Sequence, residues 1–162
     1  MIILKEPSTD LIFMKMALKL AEQAEKEGEV PVGAVITQGQ KVMASAFNQK
    51  ETLTKATAHA EILAIEQVSS KLGNWHLNNC TIYVTLEPCP MCAGALVAAR
   101  LKRLVYACKD PKSGAVHSLY QIPQDLRLNH QIEVHSGLLA EQSAKLLKEF
   151  FQKKRKNSSR SF

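Results

Sequence analysis

The chain has 162 residues, four cysteines and a formal charge of +6, a length that fits one domain able to bury roughly 68–70% of the surface its unfolded chain exposes. Its longest apolar run, Ala93 to Ala99, is far short of the ~20 residues of a membrane span, and four cysteines in a chain of this size do not make a disulfide scaffold. The opening Met1-Ile2-Ile3-Leu4-Lys5-Glu6-Pro7 lacks a signal-peptide core, so the expected compartment is the cytoplasm. The excess charge is concentrated at the end. Lys145, Lys148, Lys153, Lys154, Arg155, Lys156 and Arg160 face one acid, Glu149, while the preceding residues balance. A neutral body with a basic tail suits an anionic partner, with nucleic acid the leading candidate, and charge alone leaves open the alternative of a solvated tail that merely aids solubility.

In chain order, Ser8 to Gly28 places Phe13, Met16, Ala17, Leu20, Ala21 and Ala24 at helical spacing, with Ser8 or Thr9 as cap and Gly28 as stop. Val32–Thr37 and Lys41–Phe47 read as a hairpin around Gln38-Gly39-Gln40, and Asn48 follows the second strand. Gln49 to Ala56 is a polar loop. A helix then carries His59 and Glu61 as far as about Leu72, where Gly73 stops it, and Ile62, Leu63, Ile65 and Val68 predict that it is buried. Thr81 onward is a β-branched strand that enters a helix at Pro88-Cys89-Pro90-Met91-Cys92. Arg103–Cys108 is a strand, Lys109 to Gly114 a turn-rich loop, residues 132–135 a short strand and Leu139 to about Lys154 the last helix. The order α-β-β-α-β-α-β-β-α predicts helices on both faces of one mixed sheet. The domain is expected over residues 1–156, with a disordered tail over 157–162.

Cys89 and Cys92, three residues apart in a first helical turn, share one face, and the positive end of the helix dipole favours their thiolates. That suits a soft or borderline metal. A Cys-x-x-Cys alone is ambiguous between half a zinc site, a redox dithiol and chance, so further ligands decide the matter. His59 supplies a third ligand and leaves a tetrahedral position for water, the layout of a catalytic zinc. Glu61, two positions on, can reach that water as the proton carrier. Residues two apart on a helix lie about 200° from each other, so both face one cavity only if His59 sits at the helix start, a placement for which Thr57 is the expected N-cap. His-Ala-Glu followed by Pro-Cys-x-x-Cys is the signature of zinc deaminases of nucleobases. Cys80 and Cys108 are read as buried thiols.

The chain resembles the bacterial tRNA-specific adenosine deaminases, a branch of the cytidine-deaminase-like zinc enzymes, from its first helix to the basic end of the last. The resemblance is carried by Glu29–Val35 (E-V-P-V-G-A-V), Phe47-Asn48, Thr57–Ile62 (T-A-H-A-E-I), Thr85–Ala95 (T-L-E-P-C-P-M-C-A-G-A), Lys109–Ala115 (K-D-P-K-S-G-A) and Glu149–Lys156 (E-F-F-Q-K-K-R-K). It implies a three-layer α/β/α fold with a central mixed five-stranded sheet and a homodimer. It implies one zinc per chain on His59, Cys89 and Cys92, with Glu61 as proton shuttle. Val30, Asn48 and the backbone of Ala60 would line the base pocket, and Asp110 with its loop would contact nucleotides beside the target. The reaction implied is hydrolytic conversion of adenosine to inosine in a tRNA anticodon loop, with the wobble position as target. Lys55-Ala56 stands where the family usually has Asp-Pro, so the loop entering the site lacks a rigid proline. His117 replaces a small residue and reads as an exposed loop histidine in preference to an RNA contact.

Three alternatives compete. A structural zinc module needs a fourth protein ligand, for which Cys108, Cys80 and His76 are the candidates, and leaves Glu61 without a role. A deaminase of a free base or nucleoside, of guanine or cytosine type, keeps the zinc site but has no use for the basic tail. A non-catalytic RNA-binding protein has no use for the intact His-Ala-Glu.

Overall fold

Ser8 begins the first helix by accepting a hydrogen bond from the Leu11 amide through its hydroxyl, and this capped helix covers one face of the sheet on which the molecule is built. The computed structural model describes residues 8–160. Its helices are α1 (Thr9–Lys26), α2 (Ala60–Leu72), α3 (Pro90–Ala98) and α4 (Ala140–Ser158). Its strands are β1 (Gly33–Gln38), β2 (Lys41–Phe47), β3 (Cys80–Leu86), β4 (Arg103–Cys108) and β5 (Glu133–Ser136). The sheet order is β2-β1-β3-β4-β5. β1 pairs antiparallel with β2 and β3, while β3, β4 and β5 run parallel, so the expected mixed five-stranded sheet with helical layers is present.

Side chains alternate across this sheet because successive strand residues point to opposite faces. Phe13, Met14 and Ala17 of α1 meet Val35, Tyr83, Val105 and Ala107 on one face. On the other, Ala60, Ala64 and Val68 of α2 and Leu96 of α3 meet Ile36, Ile82, Val84, Leu104 and Tyr106. Gly33 permits the close approach of α1 to β1: a Cβ there would lie 2.0 Å from the Ala17 carbonyl oxygen. No helix among the described residues is long and apolar enough to cross a membrane.

Several boundaries differ from the sequence expectation. Ile62, Leu63 and Ile65 are only half-buried, because α2 turns the narrow stripe of Ala60, Ala64 and Val68 to the sheet. α4 runs on to Ser158 and takes Asn157 and Ser158 out of the expected disordered tail. Its end is closed by the Ser158 hydroxyl donating to the Lys154 carbonyl and the Ser159 hydroxyl donating to the Arg155 carbonyl, local bonds that compete with solvent. The remainder of that expected tail, residues 161–162, lies outside the described residues, as do residues 1–7 of the expected domain.

Candidate metal centre and base pocket

Two helix starts meet beyond the carboxyl end of β3, and each delivers a ligand from its N-cap. His59 is the N-cap of α2 in an extended conformation (φ −73°, ψ 153°), and Cys89 is the N-cap of α3 (φ −72°, ψ 173°) with Pro90 in the first turn. Pro90 suits that position because the first helical N–H has no intrahelical partner to lose. Cys92 follows one turn into α3 and is fully buried. Thr57 is not the cap of α2; its carbonyl instead accepts from the His59 amide at 2.8 Å. His59, standing just outside the helix, escapes the helical 200° offset and shares a cavity with Glu61.

The ligand set closes on one point. His59 Nδ1 is 3.6 Å from Cys89 Sγ and 3.5 Å from Cys92 Sγ, and all three ligand atoms lie within 4.8 Å of one another. A tetrahedral ion with Zn–S of about 2.3 Å and Zn–N of about 2.05 Å separates S from N by roughly 3.5–3.6 Å, so the donor set fits zinc in both chemistry and spacing. The charges agree. The Cys89 thiol is drawn down to about 4, first by the hydrogen bond from Cys92 and then by His59, and Cys92 is pushed up by the same pairing and by burial. The two sulfurs thus share one negative charge, and a dication would let both ionise. The His59 imidazole is raised, chiefly by its contact with Cys89. Cys80, Cys108 and His76 do not join this group among the described residues. Cys108 is committed to the Thr85 carbonyl and the Ser143 hydroxyl.

Glu61 is 4% exposed, and burial raises its pKa against the opposing pull of its own backbone amide, Cys92 and His59. It faces a cavity of about 260 Å3 that Val30, Asn48, Ala60, Cys89 and Asp110 also line. Of the site residues singled out from sequence, all but Cys92, which is fully buried behind the ligand set, therefore border one space. The Asn48 amide is already engaged, its Nδ2 donating to the Val30 carbonyl and its Oδ1 accepting from the Lys50 amide, each at 3.3 Å. Each of these groups retains capacity for one further bond.

Phe150, Glu29 and Glu87, to which the sequence reading gave no role, and Lys154, read only as part of the basic tail, also shape the cavity. Phe150 and Lys154 bring α4 to its mouth. Glu29, fully buried, accepts from the amides of Glu51 and Thr52. This bond, with Lys55 N donating to the Lys50 carbonyl and Ala58 N to the Lys55 carbonyl, stiffens the loop that was expected to suffer from lacking a proline. Glu87, 2% exposed, accepts from Asp110, Val116, His117 and Ser118. Burial works against its charge, but the Ser118 hydroxyl and these amides outweigh it and hold the carboxyl down to about 2. No local sequence signal marks either acid, since their partners lie 22 and 23 or more residues away. His117 is exposed as expected, with its Nδ1 2.5 Å from the Tyr106 hydroxyl.

Beyond the α4 side of the cavity, a groove is lined by Lys109, Lys112, Lys148, Phe151, Lys154 and Arg155. It joins two segments of positive charge from distant parts of the chain.

Comparison with known proteins agrees with this architecture. Residues 8–155 match a family profile described as MafB19-like deaminase. A tRNA-specific adenosine deaminase of Bacillus subtilis is 46% identical over 147 residues, covering 91% of each chain. A solved structure from work on A-to-I editing by tRNA:A34 deaminases at the wobble position superposes with a TM-score of 0.81 at 42% identity, over 84% of this chain and 99% of the other. A guanine deaminase of Nitrosomonas europaea shares the fold, with a TM-score of 0.77 at 24% identity over 86% and 83% of the two chains. The profile places the chain among the deaminases, and a relative matched over nearly its whole length shows that it belongs to the family of tRNA-specific adenosine deaminases.

Proposed function

We propose that the protein hydrolyses adenosine to inosine in tRNA, at the first anticodon position, with one zinc ion per chain. The observation that carries this reading is a buried carboxylate, Glu61, sharing a base-sized cavity with a zinc-compatible His/Cys/Cys set while cationic α4 forms the cavity's outer edge. When bound, zinc supplies the Lewis acidity that makes water a nucleophile near neutral pH.

His59, Cys89 and Cys92 would hold the ion, and their positions at two helix starts would keep it fixed relative to the cavity. Glu61 carries protons. It takes one from water and gives it to N1 of adenine as oxygen adds at C6, then takes the proton of the new C6 hydroxyl and gives it to the exocyclic amine, which departs as ammonia as the C6 carbonyl forms. The balance is adenosine plus water to inosine plus ammonia. Val30 and Asn48 bound the base laterally, and the low exposure of Glu61 keeps bulk water from competing for its proton. A stacked base cannot present C6 to this corner, so the target is unpaired or flipped, as in an anticodon loop. The Lys and Arg residues along the groove would meet the phosphates of neighbouring nucleotides. Leu119, Tyr120 and Leu126 are exposed apolar side chains on one segment, which supports a homodimer that would cover them. The tRNA substrate supports a cytoplasmic location.

The test is to incubate zinc-loaded protein with a tRNA bearing adenosine at the first anticodon position, with the same tRNA bearing guanosine there, and with free guanine and cytidine. Inosine and ammonia from the first alone are expected. Turnover of free guanine or cytidine with none on the tRNA would reassign the protein to nucleobase deamination.

A further inference from the structure

We propose that Glu87 is a positioning residue for this reaction: its buried carboxylate fixes the Lys109–Ser118 loop, holds Asp110 at the cavity's edge and thereby sets selectivity for the nucleotide beside the target adenosine. The proposal rests on the reading of the protein as a tRNA adenosine deaminase.

All five hydrogen bonds of this carboxylate go to one loop. Oε1 accepts from the Asp110 amide at 3.1 Å and from the Ser118 hydroxyl at 2.5 Å. Oε2 accepts from the amides of Val116, His117 and Ser118 at 3.1, 3.0 and 2.9 Å. Such a ring of backbone donors is an anion-binding nest, here filled by a side chain. The loop lies directly on the carboxyl group. A Cβ on Gly114 would sit 2.3 Å from Glu87 Cδ and Oε2, so only glycine fits there. The strand below is tied to the same unit, since the Glu87 amide donates to the Cys108 carbonyl and the Ala115 amide to the Pro88 carbonyl, both at 2.8 Å.

Glu87 lies two residues before Cys89, so the anchor and the metal ligand share one short, rigid segment at the β3–α3 junction. The anchored loop borders both spaces: Asp110 and Ser113 line the base cavity, and with Lys109 and Lys112 they line the groove beside α4. Asp110 Oδ1 accepts from the amides of Lys112 and Ser113. This turn fixes its carboxylate relative to the backbone that Glu87 holds. The distance from metal corner to nucleotide-contacting edge is therefore set through this side chain together with the Ala115–Pro88 backbone bond, and only the side chain reaches the Asp110 amide. A displacement of roughly 1 Å at such an edge can cost about 10²-fold in rate. Remote contacts of this kind act on kcat as well as on binding.

The variants are Glu87→Ala and Glu87→Gln. The second keeps the shape and one carbonyl oxygen but turns an amide N–H2 toward donors. Two readouts are taken on the zinc-loaded full chain: hydrogen exchange at the amides of Asp110, Val116, His117 and Ser118, and kcat/KM on anticodon stem-loops that differ only in the nucleotide adjoining the adenosine. In Glu87→Ala all four amides should lose protection. In Glu87→Gln, with its oxygen facing the three-amide cluster, Asp110 alone should lose it. The preferred stem-loop should slow by about 10–10²-fold, and the ratio between preferred and disfavoured neighbours should fall toward one, with Glu87→Gln intermediate. Where Glu87→Ala fails to fold, Glu87→Gln carries both readouts. Equal slowing on every stem-loop with the ratio preserved would leave Glu87 only a structural role and overturn the proposal. So would an Asp110 amide that stays protected in Glu87→Gln, or a wild-type enzyme indifferent to the neighbour. Failure of the wild type on all stem-loops would instead remove the functional reading, and the selectivity role with it.

Discussion

The metal corner and the outer face of α4 border the same cavity and are built in opposite ways. In the corner, Glu61 is 4% exposed and Cys92 fully buried, and each ligand sits on a helix start that packs against the sheet. Along α4 only Ser143 and Phe150 are buried, and its basic residues stand in solvent, with Lys153 reaching back to Glu25 at 3.6 Å. Proton transfer gains from a dry, rigid setting, because electrostatic interactions strengthen as water is excluded. Capture of a polyanion gains from exposed charge, whose effect is long-ranged and salt-dependent. One chain meets both demands by placing them on adjacent elements that share a single cavity wall.

Glu61→Gln should break the corner and leave the rim intact. Glutamine fills the same volume and cannot carry the proton, so kcat should fall by at least about 10²–10⁴-fold with zinc content and tRNA affinity preserved. A variant within about tenfold of the wild type would place the proton carrier elsewhere. Metal analysis and binding titrations on the same sample separate the two regions.

Deleting residues 153–162 should do the reverse. The cut removes Lys153, Lys154, Arg155, Lys156 and Arg160, including the lysine at the cavity's edge. Binding of tRNA should weaken, and the slope of log affinity against log salt should flatten by roughly 0.7–0.9 for each phosphate that is no longer neutralised. Zinc should remain at the full-length level. An unchanged slope would make the segment a solubility device and remove the rim from the account.

How much of this was legible beforehand follows from the range of each interaction. His59, Glu61, Cys89 and Cys92 could be read because their chemistry depends on short spacings within two segments. The strands and helices followed from periodicity, and their order suggested a mixed sheet. The cap of α2 was misread because Thr57 has the right side chain for a cap, whereas the chain stays extended through His59 before the helix begins. Glu29 and Glu87 carried no recognisable role because their partners lie 22 and 23 or more residues away, and nothing in local sequence marks an acid that binds backbone amides. Phe150 was visible as half of a Phe-Phe pair, but which of the two would face the cavity depended on how α4 docks.

The smallest expected effect concerns a region remote from both. Asp10 accepts two bonds from the Arg103 guanidinium, each at 2.7 Å, and one from the Tyr83 hydroxyl at 2.8 Å. The Arg103 bond is the main cause of its lowered pKa. Because the folded value lies below the ordinary 3.8, this stabilisation is complete above that value and is lost as pH falls through the folded one. With the carboxylate partly exposed and screened, Asp10→Asn should cost roughly 0.2–1 kcal/mol near neutral pH. The gap between variant and wild type in denaturant unfolding should close in strong acid while turnover at neutral pH stays unchanged. A gap that persisted in strong acid would show that packing, not charge, is lost.

The most direct test of the division between a chemical corner and a selecting rim is to measure kcat and KM for an anticodon stem-loop and for free adenosine on the same wild-type preparation. Both present the same C6 to the same corner, and only the stem-loop reaches the groove along α4. The account predicts inosine from the stem-loop and little or none from the nucleoside, with kcat reduced as well as KM raised. Equal kcat on the two substrates would contradict it, since the corner would then need nothing from the rim.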